Sequence, residues 1–302
     1  MPLWEHYHRP LTVDQAIDNL AQYAGHARIL AGGTDLLLEM QQGRTAPVAA
    51  VVDITQIQEI RTIEEAEGYI LIGAAVTHTA ITHSELLTQK ATSLVESCGV
   101  IGGPQVRNVA TLGGNVAHAL PAGDGTLSLV ALDAEAEVAG PNGRDWRPIG
   151  SLYVGPGKSV LNHAAEMIVR FRIRPHDAGE GSAFKRIMRP QGVALPILGL
   201  GVWVQIANGV IAAARIALGP AGPRPLRAAQ AETFLTGKAF SRELLPAIAE
   251  HVLADAKLRT SPHRATAEYR TELILPLLAR ALPLAVQRAT TGHVTPEGIG
   301  EG

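Results

Sequence analysis

The chain has 302 residues, more than one ordinary domain holds and suited to two or three. Its 26 basic and 28 acidic residues nearly cancel, no basic block stands out, and a nucleic-acid partner is therefore not expected. At 46% hydrophobic residues it can bury a full core, yet no apolar run is long enough to cross a bilayer. Residues Met1 to Pro10 carry Glu5, His6, His8 and Arg9 among aromatics instead of an apolar stretch, so the expected location is the cytoplasm. The single cysteine, Cys98, excludes an intramolecular disulfide and a four-cysteine iron–sulfur or zinc site in this chain.

The first 55 residues read as βαβαβ. Thr12 and Gln15 form a capping box ahead of Ala16, Ile17 and Leu20. Arg28 to Ala31 is a short apolar strand, Gly32 and Gly33 turn the chain, and Thr34 or Asp35 caps a helix over Leu36 to Gln42. Val48 to Ile54 reads as the next strand.

The second region, 56–176, holds strands at Ile70 to Gly73, Ala136 to Ala139 and Met167 to Arg174, and helices at Thr77 to Gln89, Ala91 to Gly99 and Thr126 to Leu132. Pro141-Asn142-Gly143 predicts a hairpin. Two stretches, Gly99 to Pro121 and Gly150 to Gly157, are rich in loop formers, and long ordered loops commonly bind a ligand. The polar break from His176 to Gly181 ends this region. Residues 177–290 then read as strands at Ser182 to Arg189, Ala194 to Ala207 and Val210 to Leu218, with Asn208-Gly209 as a hairpin turn. Helices follow at Leu226 to Leu235, Ser241 to Ala256 and Arg264 to Ala289, the last kinked or broken by Pro276 and Pro283. Residues 291–302 read as a flexible tail.

Two glycine loops carry the chemistry. Leu30-Ala31-Gly32-Gly33-Thr34-Asp35-Leu36 is a strand, a tight turn and a helix start. Paired glycines let backbone N–H groups approach an oxyanion, and a helix N-terminus adds favourable partial charge. Such a turn can equally be structural. Thr111-Leu112-Gly113-Gly114-Asn115-Val116-Ala117-His118 repeats the pattern with Thr and Asn beside it, and Asp124 follows. Neither loop is a P-loop or a G-x-G-x-x-G fingerprint. Two separate Gly-Gly loops suit a diphosphate gripped from two sides.

Ala31-Gly32-Gly33-Thr34-Asp35, Pro104-Gln105-Val106-Arg107-Asn108 and Thr111-Leu112-Gly113-Gly114-Asn115 resemble, in order and spacing, the medium, FAD-binding subunits of molybdenum hydroxylases, the family of aerobic carbon monoxide dehydrogenase and bacterial xanthine dehydrogenase. The resemblance covers nearly the whole chain. It implies an α+β protein: a two-subdomain FAD-binding fold of the vanillyl-alcohol-oxidase type plus a C-terminal α+β domain with a three-stranded sheet and helices. It implies that Ala31, Gly32, Gly33, Thr34, Asp35, Thr111, Gly114 and Asn115 hold the diphosphate and ribityl chain. Asp124 would accept a ribityl or ribose hydroxyl. Ile101, Phe184 and Lys185 would lie near the isoalloxazine, and Ala110, Ala117 and Val169 complete the implied set. Phe184 stands where relatives of the carbon monoxide type often carry Tyr, so a role resting on that hydroxyl does not transfer.

Plainer roles stand beside these. Cys98 is either a core thiol or a covalent flavin anchor. His118 either orders its own loop or contacts the flavin, and Arg107 either pairs with the diphosphate or makes a structural ion pair. Lys185 is a flavin ligand or a strand-edge charge, and Asp124 can cap the helix it opens. The resemblance further implies a large partner carrying the molybdenum cofactor and a small partner carrying two [2Fe–2S] clusters, doubled into a dimer of heterotrimers. The chain itself would relay electrons, with no acid–base residue and no metal of its own. The rival expectation is a self-contained flavin oxidase, which would need a substrate pocket that a chain with 4% aromatic residues does not suggest.

Overall fold

The computed structural model describes residues 2–189, 195–262 and 264–298. Ala194, the expected start of a strand, and residues 299–302 of the expected tail lie outside them. In chain order the first elements are β1 (Trp4–His8), α1 (Val13–Gln22), β2 (Ala27–Leu30), α2 (Leu36–Gln41), β3 (Val48–Asp53), β4 (Ile63–Ala66) and β5 (Tyr69–Gly73). Six helices follow: α3 (His78–Thr82), α4 (Glu85–Lys90), α5 (Thr92–Gly99), α6 (Pro104–Arg107), α7 (Leu112–Ala117) and α8 (Asp124–Ala131). Then come β6 (Glu135–Gly140), β7 (Gly143–Pro148), β8 (Tyr153–Gly155), β9 (Lys158–Ser159), β10 (Met167–Ile173), β11 (Glu180–Met188), β12 (Pro196–Ala207), β13 (Val210–Gly219) and β14 (Leu226–Arg227). The chain closes with α9 (Ala229–Leu235), α10 (Leu245–Asp255) and α11 (Ala267–Thr291). It divides into two compact units: residues 1–80, 104–119 and 134–174, and residues 81–103, 120–133 and 175–302.

In the first unit, β3 lies between β1 and β2, and both pairings are parallel. The run Val48–Asp53 is apolar on both faces, as a central parallel strand requires. Helix α1 buries Val13, Ala16, Ile17 and Leu20, one stripe at helical spacing, in a core shared with Ala27, Ala50 and Val52. Its cap follows the sequence: Thr12 Oγ1 accepts from Gln15 N at 3.2 Å, and Gln15 Oε1 accepts from Leu11 N at 2.9 Å. A second, antiparallel sheet runs β4-β5-β10-β6-β7. The expected hairpin joins β6 to β7, with Gly140 opposite Gly143 and Gly143 at φ +107°. The loop-rich stretch around residues 99–121 carries two short helices, α6 and α7, that its glycine content conceals.

In the second unit, β11-β12-β13-β14 form an antiparallel sheet. Its fourth strand, Leu226–Arg227, adds to the three expected, and the helix expected from Leu226 begins only at Ala229. Asn208 (φ +52°) and Gly209 (φ +76°) make the β12–β13 turn. Helix α11 is continuous through Pro276 and Pro283. Its core face (Leu273, Ile274, Leu277, Leu278, Ala281, Leu282, Ala285) is buried, whereas Pro276 is exposed and Pro283 only half-buried, so packing holds the helix across both lost hydrogen bonds. By length and apolar content α11 also qualifies as a membrane span, but half of that stretch is buried inside the protein, as in a core helix.

Candidate functional site

In the first unit the two glycine loops meet backbone to backbone. A Cβ on Gly32 would stand 2.1 Å from Val109 O and 2.8 Å from Ala110 Cα, so only glycine lets this turn lie on the 109–110 backbone. Gly33 follows at φ +69°, and its carbonyl accepts from Leu37 N at 3.0 Å to start α2. Asp35 is the cap residue of α2, but its carboxylate makes no capping hydrogen bond. Ala31 to Thr34 are half-buried and Asp35 is exposed.

The second loop is fixed from behind. Leu112 N donates to Val76 O at 3.0 Å and Gly113 N to Ala74 O at 2.9 Å. A Cβ on Gly113 would lie 2.6 Å from that same Ala74 oxygen. Thr111 Oγ1 accepts from Gly114 N at 3.1 Å and caps α7. Gly114 and Ala117, one turn apart, are the exposed small residues of that short helix, and Asn115 beside them is half-buried. His118 at its C-terminal end reaches back to the first loop, with Nδ1 3.7 Å from Asp35 Oδ2 and Nε2 3.4 Å from Glu39 Oε1. Its ring thus lies between α7 and two carboxylates of the α2 segment, while its backbone N donates to Gly114 O at 3.0 Å in its own loop. Val169 lies at an irregularity of β10, where the register with β6 shifts between Ile168 and Arg170, and its side chain is part of the unit's core.

The second unit holds Ile101, Asp124, Phe184 and Lys185. Asp124 is the first residue of α8, not its cap, and is buried. Its Oδ2 accepts from Arg186 Nη1 at 2.5 Å, while Oδ1 has no partner among the described residues. Burial pushes its carboxyl up to about 7, against the charge and hydrogen bond of Arg186. Phe184 and Arg186 alternate onto one face of β11 and Lys185 onto the other. A Cβ on Gly199 of β12 would stand 3.3 Å from Phe184 Cζ and 3.5 Å from Asp124 Oδ1, so this glycine marks where the ring and the carboxyl converge. Gly219 is closed more tightly, its Cβ position being 2.2 Å from Pro121 O. Lys185 Nζ donates to Glu297 Oε2 at 2.7 Å. Ile101 is half-buried just beyond α5, with N donating to Cys98 O at 3.3 Å. Cys98 itself is fully buried, and burial pushes its thiol well above its ordinary range, which favours the core role.

Sequence reasoning passes over Arg186, Glu96, Arg288 and Glu297. Arg186 had a local signal, since two residues from Phe184 in a strand places it on the same face. The Gly199-Leu200-Gly201 alternation inside an apolar strand was a second signal, because strand glycines mark close approach of another chain segment. The other three residues are joined only by the tertiary structure.

Two family models cover the chain: the FAD binding domain in molybdopterin dehydrogenase over residues 4–176, and the CO dehydrogenase flavoprotein C-terminal domain over residues 182–285. The chain is 34% identical to the xanthine dehydrogenase FAD-binding subunit of Escherichia coli O157:H7, over 94% of this chain and 96% of that one. It is 31% identical to the carbon monoxide dehydrogenase medium chain of Hydrogenophaga pseudoflava, over 93% and 97%. Among solved structures, carbon monoxide dehydrogenase from Hydrogenophaga pseudoflava lacking the Mo-pyranopterin moiety of the molybdenum cofactor superposes with a TM-score of 0.90 at 32% identity, covering 95% of this chain and 99% of that one. Glycine loops, buried carboxyl and both matched regions agree: the chain belongs to the family of FAD-binding subunits of molybdenum hydroxylases.

Proposed function

We propose that this chain relays electrons from the [2Fe–2S] clusters of a small partner subunit to an external acceptor, within a complex whose large subunit carries the molybdenum cofactor. The observation that carries the reading is the pair of glycine loops, one locked against the other at Gly32 and the second left open at Gly114.

The residues present fit FAD. Among the described residues, and apart from α7's own backbone, a Gly114 Cβ would meet only Thr111 Oγ1, at 3.2 Å, which leaves room for a diphosphate to approach there. Asp124 Oδ1, buried and without a partner among the described residues, is an acceptor awaiting a hydroxyl. Ala31, Gly32, Gly33, Thr34, Asp35, Thr111, Gly114 and Asn115 would hold the diphosphate and ribityl chain, and Asp124 a ribityl or ribose hydroxyl. Phe184, Lys185 and Ile101 would lie beside the ring system, with Ala110, Ala117 and Val169 completing the set. When bound, FAD would supply storage for two electrons. The protein's part is to bind, orient and set the local charge. No side chain is assigned an acid–base step, and the substrate of the complex is contacted in the large subunit.

We further propose FAD subdomains over residues 1–55 and 56–176, of the vanillyl-alcohol-oxidase type, then a C-terminal domain over 177–290 and a tail over 291–302. The family-model limits at residues 176 and 182 support the middle boundary. A dimer of heterotrimers in the cytoplasm completes the proposal, and the lone buried thiol of Cys98 is compatible with a reducing compartment.

Co-expression with the two partners tests the reading. Substrate should bleach the flavin absorbance of the complex and leave that of the isolated chain unchanged. Turnover of an organic substrate by the single chain, with FAD as its only cofactor, would sink the relay.

A further inference from the structure

After α11 the chain returns to β11, and a buried ion pair fixes both ends of that return. Arg288 Nη2 donates to Glu96 Oε1 at 2.6 Å, and Nη1 donates to Ser182 O at 2.7 Å. Glu96 Oε2 accepts from Phe184 N at 2.7 Å. One carboxylate and one guanidinium thus hold the β11 backbone on either side of Ala183. The same two side chains hold the tail. Arg288 Nη2 donates to Thr295 O at 2.5 Å, and Glu96 Oε1 accepts from Glu297 N at 2.8 Å. That places the Glu297 carboxylate on Lys185 Nζ at 2.7 Å.

The local charge supports the arrangement. Among the described residues, Glu297 is the one carboxylate lining a groove of about 410 Å³ that Lys185, Arg242 and Arg280 also line. Its carboxyl is held below the usual range, first by the hydrogen bond from Lys185 and then by the charges of Lys185, Arg288 and Arg280, against the opposing effect of burial. An anion hydrogen-bonded to an ammonium cancels much of its field at a third site and fixes where the ammonium points.

We propose that Glu297 is a positioning residue for Lys185, that the Glu96–Arg288 pair is its anchor, and that together they set the charge Lys185 presents to FAD. This rests on the reading of Lys185 as a flavin-side residue. Neutralising Glu297 leaves the Lys185 charge uncompensated, which favours added negative charge on the flavin and raises its reduction potential. Neutralising Lys185 lowers it.

The test uses the FAD-loaded 302-residue chain and two readouts. The first is the titration of the Glu297 carboxyl followed by carbon-13 NMR in wild type and Lys185→Met. The midpoint should rise in the variant, and an unmoved midpoint overturns the inference. The second is the flavin potential in wild type, Glu297→Gln, Glu297→Asp, a chain ending at Val294, and Lys185→Met. Glu297→Gln and the shortened chain should both shift it upward, Glu297→Asp should restore most of the wild-type value, and Lys185→Met should shift it downward. If Lys185→Met lowers the potential while Glu297→Gln and the shortened chain leave it unchanged, the inference falls and the reading of Lys185 stands. If Lys185→Met leaves it unchanged, both fall.

Discussion

Glu96 and Arg288, separated by 192 residues in sequence, face each other at 2.6 Å with side chains 1% and 2% exposed. Removing one partner strands a buried charge, which typically costs about 3–5 kcal/mol, more than the pair itself contributes over an apolar replacement. Arg288→Met should therefore lower the stability of the folded chain by about that amount, and Glu96→Gln by a smaller one because the amide still accepts from Phe184 N. Denaturant midpoints at constant slope provide the measurement. A loss below about 1 kcal/mol for Arg288→Met would mean that the pair is solvated in solution.

The two glycines that differ most in surroundings should separate folding from cofactor binding. Gly114→Val places its side chain where, among the described residues outside α7's own backbone, only Thr111 Oγ1 lies within 4 Å, so the protein should fold and lose its flavin. Gly32→Val drives a side chain into Val109 O, 2.1 Å from the Cβ position, and should disrupt the loop as well. Circular dichroism together with flavin absorbance per chain distinguishes the two. A folded Gly114→Val protein with normal flavin content would refute the placement of the diphosphate.

Asp124 gives a pH signature. Its carboxyl moves from an ordinary 3.8 up to about 7 on folding, chiefly through burial. Between these values the folded state binds the proton and the unfolded state does not, so this group's contribution to stability falls as pH rises through the window and is constant above it. The stability difference between wild type and Asp124→Asn should vary with pH only across that interval. A difference that is flat from pH 4 to 7 would show that Arg186 keeps the carboxylate ionised throughout.

The flavin should be held without a covalent bond. Cys98 is fully buried in α5 and its thiol is shifted away from the reactive thiolate. Acid precipitation should release all the yellow colour into the supernatant; flavin retained in the pellet would return Cys98 to the role of anchor.

Much of the fold was legible because its signals are local. The α1 cap, the Gly32-Gly33 turn and both Asn-Gly hairpins depend on residues a few positions apart. Helix α11 was legible as a long apolar-striped helix, but a break at its prolines was not what formed, because a proline rule describes an isolated helix whereas here the buried face around Leu277 and Leu282 carries the segment past Pro276 and Pro283. The loop residues of the candidate site were readable for the same local reason. Arg186 had the strand signal of Phe184's face, but its pairing with Asp124, like Glu96 behind Phe184 and Glu297 on Lys185, was hidden, since no periodicity links partners 62, 88 or 112 residues apart.

The Glu96–Arg288 pair also fixes when the second unit can be finished. Translation delivers α5 well before Arg288 and Glu297, so a nascent chain that has not yet reached them leaves Glu96 with neither its guanidinium nor the tail amide that it accepts from. The first unit is complete in sequence by residue 174 and can close while α11 is being made, but Glu96 stays without these partners until Arg288 and Glu297 have been added. A chain halted within α11 before Arg288 therefore leaves the Glu96 carboxylate in α5 without its guanidinium.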